Sequence, residues 1–426
     1  MRKVLVVAYY FPPLGMSGVQ RVAGFVRHLP ECGWQPTVIT AKPKGYFAYD
    51  ESLWSSIQDA GISVIQTKSF DPTRLFRSGA TVKLPAESKR KALASMSNWL
   101  FIPDNKLGWM PFAIRAGLRQ AETTHFDAIF SSAPPYTGHL IGSTLSKKLK
   151  LPLIIDFRDD WIGNPRHSYP TGFHRRLHTY QERNVLLQSS AITTINRPIL
   201  EGLKKRHSDI QRTGRVIPHG YDDQLYPLNK SDLSSAKLRF LYTGVFYDAQ
   251  VPDYFLRGLS GFLVQNPEMR TRISAIFAGL VPDGFSELIR TLNLEGIVQY
   301  VGYKQHNEIA RLHQKADILW MTIGSRAGAS GISTGKLFEY MGVRKPILAL
   351  VPKGTARKTL LRYGAAYLAE PECTDDVIQA FSKIIDAWLS HSFPVPDEEY
   401  VRSFGRAHLT KALSQVLDSA IERSVG

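Results

Sequence analysis

Short apolar runs alternate with longer stretches of helical period along most of the chain. Val4–Tyr9, Thr37–Thr40, Ser63–Gln66, Ala128–Ser132, Leu153–Phe157, Ala191–Ile195 and Val216–Pro218 read as strands in the first half. Arg239–Thr243, Ile273–Ala278, Val298–Val301, Ile318–Met321 and Ile347–Leu350 restart the rhythm in the second. Continuous rather than alternating apolar runs predict strands covered on both faces, so each half is expected to be a doubly wound parallel sheet with helices between strands. At 426 residues the chain exceeds a comfortable single core. The expected division is 1–225, 236–397 and a helical 398–426 that packs back on the first domain. The polar stretch Asp222–Ala236 is the expected linker.

In open parallel sheets, ligands gather beyond the carboxyl ends of the strands. The residues there are Tyr10-Phe-Pro-Pro-Leu-Gly15-Met-Ser-Gly18, Ala133-Pro-Pro-Tyr-Thr-Gly-His139, Asp156-Phe-Arg158-Asp159-Asp160-Trp161, Pro218-His219-Gly220 and Tyr242-Thr243-Gly244. The most informative segment is STGKLFEYMGVRKPI, Ser333–Ile347. Ser333 or Thr334 is suited to N-cap a short helix with Leu337, Tyr340 and Met341 on its apolar face, and Gly342 and Pro346 are expected to end it. A cation in the first turn opposes the helix dipole unless an anion docks there, so Lys336 asks for phosphate. Glu339, one turn on, offers two acceptor oxygens to a vicinal diol. Arg21 holds the matching early position in the first helix and is a second candidate phosphate ligand. The plain alternative is a surface lysine and glutamate on an ordinary helix.

Gly15-x-x-Gly18 lacks the third glycine of a nicotinamide fingerprint, and the second strand ends in Ala41 and Lys42 where that class has an acid. Cys32 and Cys373 have no metal-type spacing, which suits a reducing compartment and a metal-free protein. No run of 18 apolar residues is present, so a cytoplasmic or peripheral protein is expected. The net charge of +16 asks for an acidic partner or surface. Arg74, Arg77, Lys83, Lys89, Arg90 and Lys91 lie beside Leu75, Phe76, Trp99, Leu100 and Phe101, so Arg74–Phe101 is a candidate anionic-membrane segment, with a solvated basic loop as the alternative. No nucleic-acid-binding motif is evident, and no nucleic acid partner is expected.

Taken together, YYFPPLGMSGVQR, HLPECGWQPTVIT, FDAIFSSAPPYTGHLIG, DFRDDW, RVIPHGYD, LYTGVFY and STGKLFEYMGVRKPI resemble glycosyltransferase family 4, of GT-B fold, in its bacterial surface-polysaccharide branch. The resemblance implies two Rossmann-like domains facing an interdomain cleft. It also implies retaining transfer of a sugar from a nucleotide-sugar donor, a substrate and not a cofactor, to a glycan or lipid-linked acceptor. It assigns catalytic positions to His139 and Lys336. It assigns donor contacts to Gly15, Gly18, Arg21, Thr243, Gly244, Ser333, Thr334, Leu337 and Glu339. Asp156, Arg158 and Asp159 are acceptor-side candidates, and no metal is implied. The chain departs from the family at Gly331, where a first glutamate is usual, at Val245–Gln250, which lacks a cation, and at His219, usually asparagine. A GT-B epimerase and a silent GT-B scaffold are the other readings.

Overall fold

The computed structural model describes all residues except 16, 45–47, 73–95, 165–166, 227–235, 247–249, 327 and 426. The chain forms two units, one of Met1–Pro218 with Arg406–Gly426 and one of His219–Gly405.

The first unit is built on seven strands: β1 (Arg2–Val7), β2 (Trp34–Ala41), β3 (Ser63–Thr67), β4 (Ala128–Ala133), β5 (Leu153–Phe157), β6 (Ala191–Thr194) and β7 (Thr213–Val216). Their order is β3-β2-β1-β4-β5-β6-β7, with every pairing parallel. Leu5 and Val7 pack into one core and Val4 and Val6 into another, which is why β1 reads as an unbroken apolar run. The strand order reverses between β1 and β4, and loops diverge there. The carboxyl-terminal helix Arg406–Val425 covers the face formed by the Ser17–His28 helix, adding Leu409, Leu413 and Leu417 to the core with Val22, Phe25 and Val26. Burying each leucine contributes roughly 1.5–3 kcal/mol. The close approach depends on Gly24, where an added Cβ would lie 2.6 Å from the Arg406 side chain.

The second unit has six parallel strands: β8 (Leu238–Val245), β9 (Ile273–Leu280), β10 (Val298–Tyr300), β11 (Ile318–Thr322), β12 (Ile347–Leu350) and β13 (Ala366–Ala369). The order is β10-β9-β8-β11-β12-β13, with its reversal between β8 and β11. One face is an aromatic core around Trp320, Phe255, Tyr242, Phe277 and Phe381, and Trp320 stacks on Phe255 at 4.1 Å. The other holds Leu319, Met321, Leu337, Tyr340 and Met341.

The fold class expected from the sequence, two doubly wound parallel α/β halves, is the one observed. Several details differ. The edge strand expected at Val216–Pro218 is Thr213–Val216, because Ile217 leaves the ladder after donating to the Thr194 carbonyl at 2.8 Å. Strand β13 went unread: its four residues, AYLA, make a run too short to stand out, and at the sheet edge only the last of them is buried. Gly342 does not end its helix. It lies inside Gly335–Val343, where an added Cβ would be 2.3 Å from the Tyr221 ring, and Arg344 ends the helix with φ +61°. That left-handed arginine is held by hydrogen bonds to Glu398 at 2.7 and 3.1 Å, to the Gly342 carbonyl at 2.6 Å and to Tyr221 at 3.1 Å. Tyr221 and Tyr226 are buried in the second unit, so the crossing from the first unit falls at Pro218–His219, ahead of the polar Asp222–Ala236 stretch.

Candidate functional site

In the second unit, four expected residues gather at the carboxyl end of β8: Thr243, Gly244, Lys336 and Thr334. Thr334 is the N-cap residue of the Gly335–Val343 helix, but its side chain makes no capping bond, and its buried Oγ1 has no hydrogen-bond partner. No acidic residue lies in the first turn either. The helix start therefore keeps donors that neither side chain nor carboxylate has neutralised. Lys336 folds back over β8, with its Nζ 3.4 Å from the centroid of the Tyr242 ring. Gly244 makes this approach feasible. Its φ is +122°, and a Cβ there would stand 3.2 Å from Cε and 3.3 Å from Nζ of Lys336. Gly279 at the end of β9 is equally constrained, with φ +130° and an added Cβ only 1.9 Å from the Gly244 carbonyl oxygen. Burial lowers the Lys336 pKa well below the usual lysine value, and the nearby Glu339 carboxylate opposes the shift. A cation held against an aromatic face with no anionic hydrogen-bond partner is primed to take one.

Polar contacts fix this corner from below. The Thr243 N–H donates to the Tyr340 hydroxyl at 2.9 Å, tying the end of β8 to the Lys336 helix. Thr243 Oγ1 lies 3.0 Å from His313 Nε2, and His313 Nδ1 lies 2.8 Å from the Tyr226 hydroxyl. His313 is fully buried, and burial depresses its pKa to about 3, with smaller contributions in the same direction from His306, Lys345 and Lys336. It is therefore a neutral strut. Glu339 is half-buried, and among the described residues its carboxylate accepts no hydrogen bond. Ser333 is buried beside the helix start. Leu337, expected among the donor contacts, points its side chain into the core, leaving only its backbone near the tip.

The first unit gathers Gly18, Arg21, His139, Asp156 and Arg158 at the ends of β1, β4 and β5. Arg21 and Asp156, expected to serve donor and acceptor separately, pair with each other, and both side chains are wholly buried. Arg21 Nε and Nη2 donate to the two Asp156 oxygens at 3.0 and 2.8 Å, and Nη1 donates to the Pro218 carbonyl at 2.7 Å. Ser132 Oγ and Thr193 Oγ1 each donate to Asp156 at 2.8 Å. Burial alone would raise the Asp156 pKa, but the Arg21 charge and these hydrogen bonds outweigh it and hold it at about 2. The pair is a girder across the strand reversal.

Arg158 donates to the backbone carbonyls of Gly18 and Pro134, and through Nε to Ala133 at 3.3 Å. Gly18 gives this guanidinium room, since an added Cβ would lie 3.1 Å from Arg158 Nη1. Gly15 is buried and donates to the Ala48 carbonyl at 2.9 Å. Asp159 is half-buried, and its carboxylate accepts no hydrogen bond among the described residues.

His139 lies in the first turn of the Thr137–Leu149 helix, fully buried, with Nδ1 2.8 Å from Ser131 Oγ and Nε2 without a partner. Burial holds its pKa at about 3, with Asp156 acting against the shift and Arg158 with it. Asp104, which the sequence did not single out, caps this helix by accepting from the Thr137 N–H at 3.0 Å and Oγ1 at 2.8 Å. No sequence signal reveals it, since Asp104 is 33 residues from its partner. Gly279 could have been found by the strand-end rule applied to β9. Among the described residues, no group of three His, Cys, Asp or Glu could hold a metal ion, and no helix is long and apolar enough to cross a membrane.

No protein-family model matches the chain, and no curated protein matches it in sequence. Solved structures do match over its whole length. Sucrose-phosphate synthase from Thermosynechococcus elongatus superposes with TM-score 0.59 at 13% identity, covering 99% of this chain and 97% of its own. HepE of Anabaena in complex with UDP-glucose gives 0.56 at 14% identity, covering 100% and 98%. The α,α-trehalose 6-phosphate synthase from Burkholderia multivorans gives 0.59 at 12% identity over 100% of both chains. The chain therefore has the GT-B fold, with two doubly wound Rossmann-like α/β units.

Proposed function

We propose that the protein is a retaining glycosyltransferase that moves a sugar from a nucleotide-sugar donor to a glycan or glycolipid acceptor in cell-surface polysaccharide assembly. The observation that carries this reading is the uncapped start of the Gly335–Val343 helix with Lys336 over Gly244. A diphosphate is the ligand such a corner suits: free N–H groups and a glycine let its oxygens approach, and the lysine supplies charge. Glu339, whose carboxylate accepts no hydrogen bond among the described residues, takes the ribose hydroxyls. HepE, a neighbour in fold, carries UDP-glucose in its crystal structure, and the same class of ligand suits this chain.

The bond between anomeric carbon and diphosphate oxygen breaks as positive charge develops on the sugar. The helix start and Lys336 stabilise the departing diphosphate, and this electrostatic term does most of the work. The acceptor hydroxyl then bonds to the anomeric carbon on the face the diphosphate leaves, passing its proton to that leaving group. In the first unit, His139 and Asp159 are the groups proposed to meet sugar, with Gly15 and Gly18 bringing backbone close. Arg21, Asp156 and Arg158 hold the loops in position.

An anionic membrane is the proposed surface partner. Most of Arg74–Phe101 lies outside the described residues, but Trp99 and Leu100 within it are exposed. One observation favours a silent scaffold instead, namely Gly331 in the place of the first family glutamate. Product analysis with a panel of nucleotide sugars decides between them. Transfer to an acceptor, abolished in Lys336→Ala and Glu339→Ala proteins that keep their fold, supports the enzyme. Donor consumed without an acceptor points to an epimerase, and unaltered donor with wild-type protein points to the scaffold.

A further inference from the structure

Strand β11 ends on Thr322, a residue that is 3% exposed and whose Oγ1 is buried without a hydrogen-bond partner among the described residues. A buried hydroxyl left unpaired forfeits its hydration without return, so a native position rarely keeps one without a reason. Valine has nearly the same shape and would fill the place without that cost. What surrounds the hydroxyl supplies the reason. The parallel register pairs Ile318 with Phe240 and Leu319 with Leu241. The Trp320 and Tyr242 rings follow as neighbours, 4.8 Å between centroids. Two residues further along each strand are Thr322 and Gly244, on the face that carries Trp320 and Tyr242. Lys336 Nζ rests on that Tyr242 ring and against Gly244. The sheet order also reverses between these two strands, so the loops that follow them leave in opposite directions, the one after β8 laying the Phe246 ring on Tyr242 at 4.0 Å. A second unpaired hydroxyl, Thr334 Oγ1, stands at the start of the helix that carries the lysine.

We propose that Thr322 is a ligand-binding residue of this site, its hydroxyl donating a hydrogen bond to a phosphate oxygen of the nucleoside diphosphate held by Lys336. The inference rests on the donor site proposed above and adds a contact from a third element. Helix start, lysine and strand end then converge on one anion. A phosphate oxygen supplies the acceptor this hydroxyl lacks, and burial makes such a bond strong.

The test is calorimetric titration of UDP, ADP and GDP into the full chain and into Thr322→Val and Thr322→Ser variants, with thermal melts of each protein without ligand. Thr322→Val is expected to weaken binding of whichever nucleotide the wild type takes by about tenfold to a hundredfold, while its ligand-free melting temperature stays equal or rises. Thr322→Ser, which keeps the hydroxyl, is expected to bind within about threefold of wild type. Unchanged affinity in Thr322→Val overturns the inference and leaves the donor site standing. So does equal weakening in both variants, which would mark a packing effect. No binding of any of the three by wild type removes the donor site itself, and this inference with it.

Discussion

Replacing Asp156 by Asn tests whether the Arg21–Asp156 pair is a girder or a substrate contact. The substitution keeps shape and removes one charge from a pair in which both side chains are fully buried. Arg21 then faces an amide whose NH2 group must replace one of two oxygens that now receive four donors, from Arg21 Nε and Nη2, Ser132 and Thr193. Breaking a buried pair at one partner costs roughly 3–5 kcal/mol, because the surviving charge stays desolvated. For a unit of this size about 1 kcal/mol corresponds to a 2–4 °C change in midpoint, so Asp156→Asn is expected to lower the first calorimetric transition by about 6–20 °C. Removing both partners, as in Arg21→Met with Asp156→Leu, eliminates the stranded charge. It is expected to recover most of that loss, short of about 1 kcal/mol for each hydroxyl deprived of its acceptor. Differential scanning calorimetry of the three proteins reads the result directly. A single variant that melts within 2 °C of wild type while losing sugar transfer would refute the structural role and return Asp156 to the acceptor site.

Acid sensitivity follows from buried imidazoles with depressed pKa values, of which His139 and His313 are shifted furthest and His178 less far, to about 4. His139 and His313 have native pKa values of about 3 against about 6.5 when unfolded, so protons bind the unfolded chain preferentially between those values. Their contribution to stability is intact above pH 6.5 and is lost as pH falls toward 3, at up to about 1.4 kcal/mol per pH unit for each group. Denaturant titrations across that range are expected to show a slope smaller by up to about 1.4 kcal/mol per pH unit in His313→Gln, and an unchanged slope would contradict it. Gly342→Ala should destabilise despite the better helix propensity of alanine, by about 1–3 kcal/mol, since the new Cβ would meet the Tyr221 ring at 2.3 Å. Equal or greater stability in a urea melt would show that this approach is not real.

The strands were legible because most are buried on both faces, which writes them as unbroken apolar runs, and where that failed the physical cause is visible. Strand β13 is an edge with three half-exposed residues, and β7 is an exposed edge. The grouping of Lys336, Thr334 and Gly244 could be anticipated where a local rule applied: Lys336 in a first turn, Thr334 before it and Gly244 near a strand end. What could not be read was pairing across distance. Arg21 was expected in a first turn like Lys336, but it lies one turn into the Ser17–His28 helix and is neutralised by Asp156, 135 residues away, whereas Lys336, in the first turn of its helix, rests on an aromatic ring. Gly342 was misread for a related reason. Its lack of a side chain serves contact with Tyr221, which is remote in sequence, rather than helix termination. Thr322 escaped because a threonine ending a strand is ordinary until its hydroxyl proves to have no partner.

The start of the Gly335–Val343 helix, with Lys336, is the proposed anion site for a nucleoside diphosphate. The most direct test is titration of wild type and Lys336→Met with UDP, ADP and GDP at low and high salt. Methionine keeps the apolar stem and removes a charge that is costly to bury, so the variant is expected to be at least as stable as wild type. It should nonetheless bind about tenfold to a hundredfold more weakly, with a smaller salt dependence, as expected for the loss of one charge-assisted contact. Identical affinity and identical salt dependence in the two proteins would contradict the account.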